Sequence, residues 1–271
     1  MKKAIVMLSL FALWACKDTE QKTVEKPTEA VEQVKVEEAE APVTKTIVEK
    51  EDKKVIDLLL PMYYDKDFHE EEVKQMNDSW LALLVEGEQF KVQRIKYERL
   101  EMKNECTESD AIGVFPLDEE LEPLFFFSDT KAILKGKKES LAILKTPLWP
   151  GEPQTYVFKG KTYVLRAEGK QVDSYVYTDD SEVEKTYKKF DNYKLYVSVD
   201  GSGEQLVLDI PSFNDTFVQL LFVGDLDGDG NLDFIFDTSE HYEQKQMEVY
   251  LSKGAKHILY LAGMSSVDFS C

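Results

Sequence analysis

Apolar residues recur at every second position through much of the chain. Tyr193, Leu195, Val197 and Val199 form one such series. Leu206, Leu208 and Ile210 form another, beyond the turn Asp200-Gly201-Ser202-Gly203. A period of two places alternate side chains on one face of a β-strand. The runs 80–85 and 90–95 flank Glu86-Gly87-Glu88, and 156–158 and 163–165 flank Lys159-Gly160-Lys161-Thr162. Both patterns predict hairpins. The runs 247–251 and 257–261 predict a last hairpin around Gly254. Residues 124–127 are continuously apolar, the mark of a central strand rather than an exposed one. Residues 132–144 fit a hairpin or a helix. Apolar material begins at 55–60, and Asp67 with Glu70 forms a capping pair that predicts one short helix over 69–76. The predicted fold is mainly β: antiparallel hairpins forming a sandwich or barrel-like domain, with one short N-terminal helix. No βαβ rhythm is present.

The start of the chain follows a different pattern. Lys2 and Lys3 precede an apolar run, 4–15, broken only by Ser9. Twelve residues are too few to span a bilayer, which takes about 20, but they suit the apolar stretch of a secretory signal. The run closes on Leu13-Trp14-Ala15-Cys16. This ending resembles the lipobox of bacterial lipoproteins, although Trp14 is bulkier than that family's usual residue. The resemblance implies that 1–16 is a signal peptide and that Cys16 is acylated and becomes the mature N-terminus. Two acyl chains anchor stably where one does not. An ordinary secretory signal with an incidental Cys16 is the alternative. The charged Lys17-Asp18-Thr19-Glu20 resembles a surface-export signal or is simply the start of a tether. The expected location is therefore the bacterial outer membrane, lipid-anchored, at the cell surface or the periplasmic face.

Residues 17–54 contain no aromatic residue and no glycine. Such a segment buries too little surface to offset its ordering entropy. The expectation is a spacer reaching about 120 Å when extended and roughly 35 Å as a coil, or else a partly helical arm. The domain proper is expected over 55–271. It carries nearly all of the formal net charge of −19. That charge excludes nucleic acid as a partner, since a phosphate backbone needs a basic footprint. It keeps the domain soluble and concentrates divalent cations.

One motif carries chemistry. In Asp225-Leu226-Asp227-Gly228-Asp229-Gly230-Asn231-Leu232-Asp233 the carboxylates fall at positions 1, 3, 5 and 9, with Gly230 at position 6. Calcium takes six to eight oxygens at about 2.3–2.6 Å, and a tightly curled loop can aim alternate side chains at one centre. Position 12 is Phe236 rather than the Glu of an EF-hand, and the flanks read as strands. The loop resembles the calcium-binding hairpin of the FG-GAP/VCBS repeat family. The resemblance covers about 25 residues and implies side-chain coordination by Asp225, Asp227, Asp229 and Asp233, and backbone coordination by Asn231. That family repeats its unit around a propeller. No second copy occurs here, so a full propeller is not expected.

Other motifs fail on inspection. His69-Glu70-Glu71-Glu72-Val73 lacks the second histidine of a zinc-protease helix, and Gly160-Lys161-Thr162 lacks the earlier glycine of a phosphate loop. Ser202 lacks a nucleophile-elbow pattern. Tyr175, Tyr177, Tyr187, Tyr193 and Tyr196 either pack a sheet or stack sugars. With Cys16 removed, Cys106 and Cys271 are left, and an oxidising envelope compartment would join them as a disulfide or leave each buried. The functional expectation is a lipoprotein whose calcium-stabilised β domain binds a protein or glycan partner or supports the envelope, without catalysis. The alternative is a secreted hydrolase of extracellular polymer with a carboxylate pair that spacing does not reveal.

Overall fold

The computed structural model describes residues 46–47, 55–104, 108–178, 184–253 and 257–269. The chain divides into two compact units, Met1–Ala41 and Pro42–Cys271, and all described residues lie in the second. The signal segment with Cys16, most of the spacer, Cys106 and Cys271 fall outside the described residues.

In chain order the elements begin with β1 (Thr46–Ile47), β2 (Leu58–Leu59), β3 (Tyr63–Asp65) and α1 (Lys66–Gln75). Four strands follow: β4 (Leu81–Glu86), β5 (Gln89–Gln93), β6 (Tyr97–Lys103) and β7 (Asp110–Pro116). Next come β8 (Pro123–Phe127), β9 (Gly136–Lys137), β10 (Glu139–Ser140) and β11 (Gln154–Phe158). The long β12 (Lys161–Thr178) and β13 (Glu184–Val199) precede β14 (Gln205–Ser212). The last four are β15 (Gln219–Asp225), β16 (Asp233–Asp237), β17 (Gln244–Lys253) and β18 (His257–Asp268). The fold is therefore mainly β, as the alternation predicts. Among the described residues there is one helix, and neither a closed barrel nor a propeller.

The strands form four sheets, ordered β1-β14-β13-β12-β11, β10-β15-β16-β17-β18, β2-β8-β4-β5-β9 and β3-β7-β6. All pairings between strands are antiparallel except β1 with β14, where Thr46 and Ile47, inside the segment expected to be spacer, run beside Gln205 and Leu206.

Three apolar cores alternate with these sheets. The first unites Tyr193, Leu195 and Val197 of β13 with Leu220 and Val223 of β15 and Phe234 and Phe236 of β16. The second takes the opposite face of the same sheet, Phe222, Ile235 and Val249, and packs it on Leu83, Phe125 and Phe127. The third sets Ala82, Leu84 and Phe126 against Val73 of α1, Tyr64 and Val114. The β15–β16 hairpin is thus covered on both faces, and all five residues of β16 are buried. That explains why its sequence, Asp-Phe-Ile-Phe-Asp, has apolar residues side by side instead of alternating. Strand β8 lies between β2 and β4, again buried on both sides.

Local chemistry sets the boundaries. Helix α1 starts three residues before the predicted position because Asp65 is its N-cap, its carboxylate accepting the Asp67 N–H at 2.8 Å. Between β11 and β12 the two-residue turn Lys159-Gly160 has φ of 46° and 81°, both left-handed, as a tight hairpin requires. The ambiguous stretch 132–144 is neither a regular hairpin nor a helix. Its β9 pairs with β5 and its β10 with β15, so it runs from one sheet to the next. No helix among the described residues is long and apolar enough to cross a membrane.

Candidate metal centre

The acidic loop is the connection between β15 and β16, with Gly224 opposite Asp233 in the register. Its flanks are strands, as the sequence predicts. Two glycines make the curl: Gly228 and Gly230 have φ of 84° and 83°, a region that L side chains enter at a cost. Gly224 serves close approach instead. A Cβ there would lie 2.4 Å from the Glu139 carbonyl of β10 and 2.6 Å from the Phe222 ring.

The aspartates organise the loop through its own amides. Asp225 Oδ1 accepts the Gly228 N–H at 2.6 Å and its Oδ2 accepts the Gly230 N–H at 3.0 Å. Asp227 Oδ1 accepts from the Asp229 amide at 3.0 Å, and Asp229 Oδ1 from the Asn231 amide at 2.8 Å. These last two are Asx turns, side chain to backbone two residues on. Asp229 Oδ2 also accepts from Asn231 Nδ2 at 2.7 Å and from Ser252 Oγ at 2.8 Å. One carboxylate oxygen from each of Asp225, Asp227 and Asp229 lies within 4.8 Å of the others.

Asp233 has a different position. It is fully buried. Its Oδ2 accepts the Leu226 N–H at 2.6 Å and the Asp227 N–H at 3.4 Å, while Oδ1 accepts the Ser252 N–H at 2.7 Å. It clamps the start of the loop to β17 and stands outside the group of three. Asn231 uses its side-chain oxygen to accept from Lys161 Nζ and, at 3.5 Å, from the Tyr163 hydroxyl.

Three lysines face this negative charge, and sequence reading assigned none of them to it. Lys159, in the β11–β12 turn, bridges Asp225 at 3.1 Å and Glu139 at 2.9 Å. Lys161 reaches Asn231 from the first residue of β12. Lys138 is buried between β9 and β10 and donates to the Leu226 carbonyl at 2.9 Å. In a Lys-Gly-Lys-Lys run it reads as surface, and only its position between two paired strands buries it. The one available signal was the turn at Lys159-Gly160, which fixes where both neighbouring lysines project.

The electrostatics follow from burial. Burial pushes the Asp233 carboxyl up to about 8, with the charges of Asp227 and Asp229 adding to it and the Ser252 and Leu226 amides opposing it. Burial likewise raises Asp227, helped by the charges of Asp229 and Asp225. Burial acts upward on Asp229 too, but donors from Asn231 and Ser252 outweigh it and leave its carboxyl lowered. Burial lowers Lys138, against the opposing pull of Asp225, Asp233 and Asp227.

The donor set fits a hard divalent cation. Two oxygens bound to one calcium at about 2.3–2.6 Å can be at most about 5 Å apart, which accommodates the 4.8 Å spread of the three carboxylates. At that separation, and at an effective dielectric constant near 20, each pair of unit charges repels by roughly 3 kcal/mol. A cation between them reverses the sign.

Of the other residues singled out from the sequence, Tyr193 and Tyr196 are buried in sheet packing, whereas Tyr175 and Tyr177 are exposed. His69 lies on α1, its Nδ1 3.2 Å from Glu72, and His241 pairs with Asp268 at 3.4 Å. Compared with protein-family models, with curated proteins and with solved structures, the chain finds no match in any of the three.

Proposed function

We propose that this chain is a lipoprotein, anchored through Cys16 to a bacterial outer membrane, whose β domain holds a calcium ion in the loop 225–233. Its work is binding or envelope support rather than catalysis. The observation that carries the calcium reading is the convergence of the Asp225, Asp227 and Asp229 carboxylates within 4.8 Å. Asn231 would add its carbonyl. Asp233 would hold the loop in shape from beneath, or join the ion by giving up its amide partners. The ion would supply charge neutralisation, locking the β15–β16 hairpin that separates two of the domain's cores. The anchoring rests on the sequence of 1–16 alone, with its charged start, apolar run and terminal Cys16.

Two clefts among the described residues each hold a single carboxylate, Asp118 in one and Asp215 in the other. Neither offers the acid pair that the hydrolase alternative requires.

Thermal denaturation in chelator and in excess calcium tests the metal. At 100 times its dissociation constant an ion adds about 2.7 kcal/mol, which for a domain of this length is a rise of roughly 5–11 °C. Superimposable melting curves in chelator and in calcium would remove the proposal.

A further inference from the structure

A second feature lies away from the acidic loop and is independent of it. Where the outer part of the β12–β13 hairpin meets the segment leading into β15, a cleft of about 450 Å³ opens. This is within the usual range of small-molecule sites. Trp149, Tyr177, Tyr187 and Phe217 line it, together with Thr186 and Asp215. Among the described residues that line it, Asp215 is the only charged one; no Lys, Arg or His is among them.

The walls are held in place from behind. Trp149 packs on Phe217 with ring centroids 4.4 Å apart, and on Phe190 at 5.8 Å. Tyr175 backs both hairpin tyrosines, 5.0 Å from Tyr187 and 6.2 Å from Tyr177. The Tyr187 hydroxyl donates to the Thr216 carbonyl at 3.2 Å. The amides of Asn214 and Tyr242 tie the segment carrying Asp215 to its neighbour: Asn214 N–H to Glu240 O at 2.8 Å, and Tyr242 N–H to Asn214 O at 3.0 Å. Burial raises the Tyr187 phenol, and the charge of Asp215 adds to the shift, which places that carboxylate within electrostatic reach of the ring.

The chemistry of these walls selects the ligand. Aromatic faces carry negative quadrupole density and attract cations. Such a contact already exists beside the cleft, where Lys188 Nζ sits 5.4 Å from the Trp149 ring centroid while paired with Glu152 at 3.0 Å. A sugar would need a ring of hydrogen-bonding partners. Here Gln219 Oε1 accepts from Thr146 Oγ1 at 2.7 Å, Gln219 Nε2 donates to Phe217 O at 3.2 Å, and the Tyr187 hydroxyl is used on Thr216. A primary ammonium would leave N–H donors facing rings. A quaternary ammonium, with four carbons on nitrogen, has none to leave. We propose that this cleft binds a small quaternary ammonium solute of the choline class, with Tyr177 and Tyr187 as aromatic walls and Asp215 as its counter-charge.

The test titrates choline chloride into the full-length protein, read by calorimetry and by tryptophan fluorescence, with and without chelator so that the metal loop plays no part. The uncharged isostere 3,3-dimethylbutan-1-ol is the control for shape. Saturable one-to-one binding is expected, with the isostere at least about tenfold weaker. Asp215→Asn and Tyr177→Ala each weaken choline by about tenfold, with melting temperatures unchanged because both side chains are exposed. The proposal is overturned by equal affinity for the isostere, by binding that neither variant alters, or by no saturable signal up to roughly 10 mM choline. It is equally overturned if a neutral oligosaccharide or a proline-rich peptide binds this cleft and choline does not displace it.

Discussion

Asp233 offers a test of what holds the loop even when no ion is bound. Two variants are compared in chelator above about pH 8, where the Asp233 carboxyl of the parent protein is ionised: Asp233→Asn and Asp233→Ala. Both delete the carboxylate, so both remove the same burial penalty and the same repulsion from Asp227 and Asp229. They differ in hydrogen bonding. The carboxylate serves Leu226 N–H through one oxygen at 2.6 Å and Ser252 N–H through the other at 2.7 Å. Asparagine keeps one acceptor and alanine keeps none, in a position with no exposure to solvent. A buried amide left without a partner costs about 1–3 kcal/mol. The alanine variant should therefore be less stable than the asparagine variant by about 2 kcal/mol, before any loss from the space left behind. For a domain of this size that is roughly 4–8 °C in melting temperature. Differential scanning calorimetry or far-UV dichroism measures it directly. Melting points within 1 °C of each other would show that the amides find other partners and that Asp233 is no clamp.

Three further outcomes are expected. In chelator, the melting temperature should fall as pH rises from about 4 to about 8. Folded Asp233 holds its proton up to about 8, whereas an unfolded aspartate has lost it near 4. The folded state thus binds more protons across that window, and stability is lost as pH rises. Asp233→Asn should flatten the slope, and an upward slope in the wild-type protein contradicts the reasoning. Gly224→Ala should destabilise by about 1–3 kcal/mol, because the new Cβ meets a backbone carbonyl of β10 at 2.4 Å; an unchanged thermal midpoint would mean that β10 lies further off. Cys16→Ala should move the protein from the membrane fraction to the soluble one, and incorporation of labelled fatty acid by that variant would sink the lipidation proposal.

The elements that the sequence revealed most clearly were those with one wet face. The alternation at Tyr193, Leu195 and Val197 corresponds to core positions of β13, because a half-buried strand writes its orientation into every second residue. The acidic loop was legible for a related reason: its spacing has to meet a local geometric demand, and Gly228 and Gly230 adopt the left-handed backbone that the curl needs. Long-range features were not legible. The outer half of β12 is exposed, its Val172, Tyr175, Val176 and Tyr177 included, so no buried face marks how far the strand runs; pairing with β13 extends it to 18 residues. Two-sided burial of β15 and β16 left a continuous apolar run that marks strands but not the two cores they separate. Lys138 and Lys159 lie 88 and 66 residues before Leu226 and Asp225 in sequence order, and only the folded chain brings them to the loop.

The short run from Gly136 to Ser140 has a practical consequence. Within five residues it donates edges to two different sheets, one through β5 and one through β15, and carries the lysine that caps Leu226. An epitope tag or split-reporter junction inserted there would unfasten both sheets at once. The Asp200-Gly201 turn, exposed and with open space around Gly201, is where foreign sequence can be accommodated.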